Sequence, residues 1–104
     1  MLHNLCELNS LGNETVPILS VFFGIIVRMW HDDHPPPHIH VEYQGFEALV
    51  SIRTGEVSEG RLPIKAVAIV KEWCLHHQEE LLSNWERGQR FEPMERIPGA
   101  DQDD

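Results

Sequence analysis

Pro35-Pro36-Pro37 splits this chain, because neither a helix nor the interior of a sheet can run through three residues that lack a backbone N–H and hold φ near about −65°. The segment before the prolines ends in His31-Asp32-Asp33-His34, and the segment after them opens with His38-Ile39-His40. Four of the chain's seven histidines therefore flank one stiff, polyproline-type connection. What the chain can do chemically depends on whether the fold brings these two pairs together.

Both flanks read as strands. From Leu19 to Trp30, Val21, Phe23, Ile25, Val27 and Met29 recur at period two on one face, opposite Ser20, Phe22, Gly24, Ile26, Arg28 and Trp30. This predicts one central strand with the first set in the core, and Gly24 leaves room for a close approach by another backbone or an aromatic ring. After the prolines, His38, His40 and Glu42 alternate with Ile39, Val41 and Tyr43, and the apolar set points inward. Gln44-Gly45 reads as a tight turn, Phe46 to Arg53 as a third strand, Thr54-Gly55 as a second turn and Glu56 to Glu59 as a short fourth strand.

At Pro63 the period changes to 3.6. Ala66, Ile69, Val70, Trp73, His77, Leu81, Asn84 and Trp85 form one stripe, and Gly88 is a natural stop. The expected fold is α+β: a three- or four-stranded antiparallel β-meander packed on one face by a single long C-terminal α-helix. Residues 1–15 read as an irregular leader, 16–90 as a single domain, and 91–104 as an extended, acidic, disordered tail.

At 104 residues there is material for one modest core. The formal charge of −9 sits mainly at the ends, with Glu7 and Glu14 in the leader and five acids against Arg96 after residue 90. A local basic patch from Arg28, Arg53, Arg61 and Lys65 is therefore compatible with the sequence, although scattered solvated charges are the commoner outcome. Cys6 and Cys74 do not make a disulfide framework, and the start lacks a secretory pattern, so the cytoplasm is the default location. The apolar run Val16 to Val27 is interrupted by Pro17, Ser20 and Gly24 and is too short for a membrane span.

His38 and His40 share a strand face at a separation of roughly 7 Å. Such a pair can supply two nitrogens to a divalent transition metal, with His34, Asp33 or a helix residue completing the set. Alternatively, the paired imidazoles work as general base and acid, for instance on an RNA phosphodiester, with Arg28 or Arg53 stabilising charge. The residues carrying catalysis would be His34, His38 and His40, supported from the helix by His77 and Asn84; the metal set would be His38, His40 and His34. A competing reading gives the histidines structural work, capping polar groups or stacking on Trp30, and makes Asp32 and Asp33 turn residues. His77 on an apolar stripe is more often a satisfied buried histidine than a ligand. Cys74 has no evident general base beside it, and no Gly-rich phosphate loop or paired-Cys zinc pattern occurs.

The residues Phe23-Gly24-Ile25, Met29, Asp33-His34, Pro36-Pro37-His38-Ile39-His40-Val41, Tyr43, Glu47-Ala48, Gly60, Leu62-Pro63, Glu72-Trp73, His77, Glu80-Leu81 and Asn84-Trp85 resemble a small bacterial family, domain of unknown function 4160 (DUF4160). The likeness runs from about Val16 to Pro98. Trp30 stands where tyrosine or phenylalanine is common, and His76 where leucine is common. The resemblance implies a small cytosolic protein, often encoded beside another small protein, and hence a partner-binding component of a two-gene, toxin–antitoxin-like module. Two alternatives are a non-catalytic metal or small-ligand binding module using the same histidines, and a purely structural interaction domain. Self-association is compatible with all three.

Overall fold

The computed structural model describes residues 16–102, so the leader expected at 1–15 lies outside the described residues. Five strands, β1 (Ile18–Phe22), β2 (Ile25–Arg28), β3 (His38–Tyr43), β4 (Phe46–Ser51) and β5 (Val57–Gly60), form one antiparallel sheet in chain order. Two helices follow, α1 (Ile64–His76) and α2 (Gln78–Gln89), and then a 3₁₀ turn at Ala100–Gln102. The α+β class is as expected, but the meander has five strands rather than three or four, and the helix is two rather than one.

The extra strand arises because Leu19 to Trp30 is a hairpin. Phe22 pairs with Ile25, and the two residues between them, Phe23 and Gly24, both have positive φ, 52° and 79°. That is the type I′ turn whose twist matches the flanking strands. Its usual marker is Asn or Asp before glycine, and phenylalanine in the first position hides it. The turn also slips the phase of the alternation: Phe22 and Ile25 are both buried, whereas Val21 and Phe23, expected in the core, are 44% and 58% exposed. Gln44-Gly45 forms the same kind of turn between β3 and β4.

Cross-strand partners share a face, so Ile25, Val27, Ile39, Val41, Ala48 and Val50 make one apolar surface. Each fully buried aliphatic side chain contributes about 1.5–3 kcal/mol there. The helices cover this surface. The Trp73 ring lies 5.0 Å from that of Phe22, and Cys74 sits at the end of β4, its Sγ 3.7 Å from the Ser51 carbonyl oxygen. Burial pushes the Cys74 thiol up to about 11, which agrees with a core residue and not a nucleophile.

The helical stripe is interrupted at His77, with φ −111° and ψ 27°. Its N–H still donates to the Trp73 carbonyl and its carbonyl still accepts from Leu81, so the 3.6 period passes through the break with no proline or glycine to mark it. At the same junction Gln78 Nε2 donates to the carbonyls of Ile52 and Arg53, tying the helix pair to the end of β4.

Residues 91–102 are not a free tail. The segment is extended, as expected, but docked along the molecule: Ile97 N–H donates to the Leu19 carbonyl, Trp73 Nε1–H donates to the Pro98 carbonyl, and Ile97 is buried. Asn84, buried on α2, grips the segment twice, Nδ2 donating to the Glu95 carbonyl at 2.9 Å and Oδ1 accepting from the Glu95 N–H at 2.8 Å. The amide thus stands in for a strand partner. Asn84→Ala would leave both Glu95 backbone groups without these partners; we expect a loss of about 2–3 kcal/mol in urea unfolding, with the m-value preserved.

Candidate functional site

The loop from Met29 to Pro37 has no regular structure of its own and is held from outside. Asp32 N–H donates to the Gly88 carbonyl at the end of α2, Gln89 Nε2 donates to the Asp33 carbonyl, and His31 Nε2 lies 3.1 Å from the Glu92 carbonyl oxygen. The loop backbone packs on Gly88 itself: a Cβ there would lie 3.5 Å from the Trp30 carbonyl oxygen and 3.7 Å from His31 Cα, and it would crowd the Met94 side chain at 2.7 Å. At the far end, Ile52 N–H donates to the Pro37 carbonyl. The loop therefore delivers Asp33 to a defined place.

That place is the start of β3. His38 and His40 project to one face, as the alternation predicts, and each presents Nε2 to the same oxygen, Asp33 Oδ2, at 3.0 Å. The other oxygen, Oδ1, accepts the His34 backbone N–H at 2.9 Å. His38 Nδ1 lies 2.8 Å from the Pro36 carbonyl oxygen. A carbonyl only accepts, so Nδ1 donates to Pro36, and an ionised carboxylate facing Nε2 favours the doubly protonated imidazolium form of His38. The hydrogen bond to Asp33 raises the His38 pKa above its ordinary value against the opposing effect of burial, and the Pro36 carbonyl adds to the rise. At Asp33, burial would raise the carboxyl, but the hydrogen bonds from His38 and His40 outweigh it and hold the group well below the usual carboxylate range.

Aromatic rings enclose the cluster. Trp85 of α2 covers His38 at 5.2 Å, and Trp30 stacks on His40 at 4.8 Å with an interplanar angle of 5°. The stacking anticipated for Trp30 is thus present, and it occurs together with the shared carboxylate rather than in place of it. Side-chain exposure is 10% for Asp33 and His38 and 22% for His40. His40 also borders an open groove of about 500 Å³ on the sheet face opposite the core, lined by Arg28, Glu42, Glu47, Leu49 and Glu59. Arg28 is engaged there, its Nε 3.0 Å from Glu42 Oε2 and its Nη1 donating to the Val16 carbonyl.

The other candidate residues lie elsewhere. His77 bonds through Nδ1 to Glu80 Oε1 at 2.7 Å, packs on Trp73 and His76, and lines a separate groove of about 820 Å³ with Phe23 and Pro98. It has no contact with Asp33, His38 or His40 among the described residues, so a site shared between helix and strand histidines does not form. Asn84 has both side-chain polar atoms occupied by Glu95. His34 stands at the rim, its side chain 89% exposed and its Nδ1 3.4 Å from Asp33 Oδ1. Of the four residues expected to form a basic patch, Arg28 alone lines the groove beside His40; Arg61 lies over the Phe46 ring, and Arg53 and Lys65 are exposed.

The residue that the sequence undervalued is Asp33, read mainly as a turn former and only secondarily as a ligand. Its role depends on loop conformation, and the available signal was its place within five residues of His38, on the far side of a rigid connection. What the three residues make is a two-imidazole, one-carboxylate donor set, Asp33–His38–His40, with its ligand atoms all within 4.8 Å of one another.

A five-stranded meander backed by two helices, with a carboxylate-bridged histidine pair at its loop end, defines a small α+β domain. The family model described as Domain of unknown function (DUF4160) matches residues 24–86, and the chain belongs to that family. The matched region holds Asp33, His34, His38, His40, His77 and Asn84 and excludes β1 and the docked segment after α2. No curated protein matches the chain, and no solved structure does. No helix among the described residues is long and apolar enough to cross a membrane.

The charge pair makes a pH-dependent contribution to folding. Asp33, lowered from 3.8, stabilises the fold above that value and loses its contribution as pH falls through its folded pKa. His38, raised from 6.5, stabilises fully below that value and loses its contribution as pH rises through its folded pKa. The joint contribution therefore peaks between about pH 4 and 6.5. In metal-free buffer, Asp33→Asn should flatten this part of the stability profile and cost about 2–3 kcal/mol within the window, read from urea midpoints across pH.

Proposed function

We propose that the chain is a metal-binding module whose centre is Asp33, His38 and His40, taking one divalent transition-metal ion. The observation that carries this reading is the convergence of three donor atoms of suitable type from two rigidly held segments. A metal with bonds of about 2.0–2.1 Å to nitrogen and oxygen has neighbouring ligand atoms roughly 3 Å apart. The two Nε2-to-Oδ2 separations of 3.0 Å fit that spacing. The Pro36 carbonyl on His38 Nδ1 further supports it, because metal-bound histidines are commonly oriented by a backbone acceptor on the other ring nitrogen. A bound ion would displace the Nε2 protons that His38 and His40 both hold against Asp33 Oδ2 in the metal-free form, so loading would release protons and weaken as pH falls.

A second reading is a partner-binding component of a two-gene, toxin–antitoxin-like module that acts on RNA through the same histidines. The position of His40 at the border of an open groove favours it. It is the weaker of the two. Both Nε2 atoms turn onto Asp33 rather than outward to a substrate, and Glu42, Glu47 and Glu59 surround the one arginine of the groove, a poor environment for a polyanion.

Full-length protein purified without an affinity tag should bind close to one equivalent of zinc, nickel, copper or iron by elemental analysis and titration calorimetry. Asp33→Ala and a His38→Ala, His40→Ala double variant, checked for folding by circular dichroism, should each lose about a hundredfold or more in affinity. Absence of near-stoichiometric metal in the wild type, both as isolated and after titration, would overturn the reading.

A further inference from the structure

Three donors leave open whether the centre is closed by a fourth protein ligand or keeps a position for water or substrate, and that difference separates structural from catalytic zinc sites. Resting on the metal reading above, we propose that His34 is the fourth ligand and that the centre is a closed, four-coordinate zinc site of three histidines and one aspartate.

The argument is one of reach and freedom. Two imidazoles bound through nitrogen to one tetrahedral ion with bonds of about 2.0–2.1 Å have ring centres roughly 5 Å apart. His38 and His40 already meet that spacing at 5.2 Å. His34 and His38 stand 6.3 Å apart, about 1 Å beyond it by the same estimate. The backbone of His34 is fixed beside the centre by its N–H on Asp33 Oδ1, whereas its side chain is 89% exposed and no packing opposes a change of rotamer. Its Nδ1 is 3.4 Å from Oδ1 of the carboxylate whose Oδ2 holds the other two rings.

The other histidine of the loop is not available. His31 is engaged with the Glu92 carbonyl and stacks on Phe91. Trp30 on His40 and Trp85 on His38 offer no lone pair to a metal. Of the carboxylates in the groove beside His40, Glu42 is paired with Arg28, and Glu59 stands two strands away on β5, opposite Leu49, about 10 Å along the sheet. His34 is therefore the side chain that closes the centre. The rotamer change needs no backbone movement and leaves the ion without a site for substrate. The donor set, nitrogen-rich and tetrahedral, suits zinc.

The test uses untagged full-length protein titrated with Co²⁺ as a spectroscopic substitute and with Zn²⁺ for affinity. Wild type should give the intense visible absorption of four-coordinate cobalt. His34→Ala, at an exposed position where folding is not at stake, should give a weak spectrum and about tenfold or greater loss of zinc affinity, while His76→Ala on the helix should match wild type. His34→Cys should restore a four-coordinate spectrum and add a thiolate-to-cobalt charge-transfer band in the near ultraviolet that is absent from wild type and from His34→Ala, which carry the same Cys6 and Cys74. If wild type binds one equivalent and His34→Ala binds equally well with the same spectrum, or His34→Cys shows no charge-transfer band, the fourth-ligand assignment is wrong while the three-residue metal centre stands. If wild type binds neither ion, the metal reading fails and this assignment fails with it.

Discussion

One carboxylate oxygen, Asp33 Oδ2, organises the loop end of this protein. It receives two imidazole nitrogens from a strand that lies on the far side of three prolines, and so joins two segments that the local chain keeps apart. Charge-assisted hydrogen bonds of this kind are worth about 1.5–3 kcal/mol each. Without it, the loop between β2 and β3 would be attached through the end of α2, the carbonyls of Glu92 and Pro17, and its own Pro37 carbonyl. The cluster thus has a structural consequence whether or not an ion is bound: it fixes the start of β3, and with it the rings of Trp30 and Trp85.

The helices contribute to the same end from a distance. Glycine at position 88 leaves room for the Met94 side chain beside α2, and the backbone bond from Asp32 fixes the level at which Asp33 enters. Leu81 and Trp85 anchor α2 in the core beneath. Residues with no chemistry of their own therefore decide where the carboxylate stands. Asn84 belongs among them: it faces the site in sequence terms, but its amide is spent on the backbone of Glu95.

Much of this was legible in the residues. Alternation gave the faces of His38 and Ile39, the two glycine-ended turns after β3 gave the meander, and the change of period at Pro63 gave the helical layer. The sequence reading failed where a conformation runs against its residue's habits. Phe23 adopts positive φ, so one apparent strand is a hairpin and its alternation slips. His77 departs from helical angles without interrupting the 3.6 period, so one apparent helix is two. The site was half visible: the strand pair followed from periodicity, but the choice of Asp33 over His77 depends on long-range contacts of the loop, which no local pattern encodes. His77 lay on the apolar stripe for the ordinary reason, packing against Trp73.

The backbone bond from Ile97 to Leu19 has a consequence at the level of assembly. A sheet in chain order has two outer strands, and each exposes a row of amides to which another chain could add. Along β1 the returning C-terminal segment uses part of that row. Along β5 the strand is short, carries Glu59, and ends at Gly60, whose φ of 79° bends the backbone away from the extended form. Both margins of the sheet thus discourage edge-to-edge growth by devices natural β-proteins use against aggregation. Among the described residues, neither margin therefore offers a flat, unobstructed strand for another chain to extend.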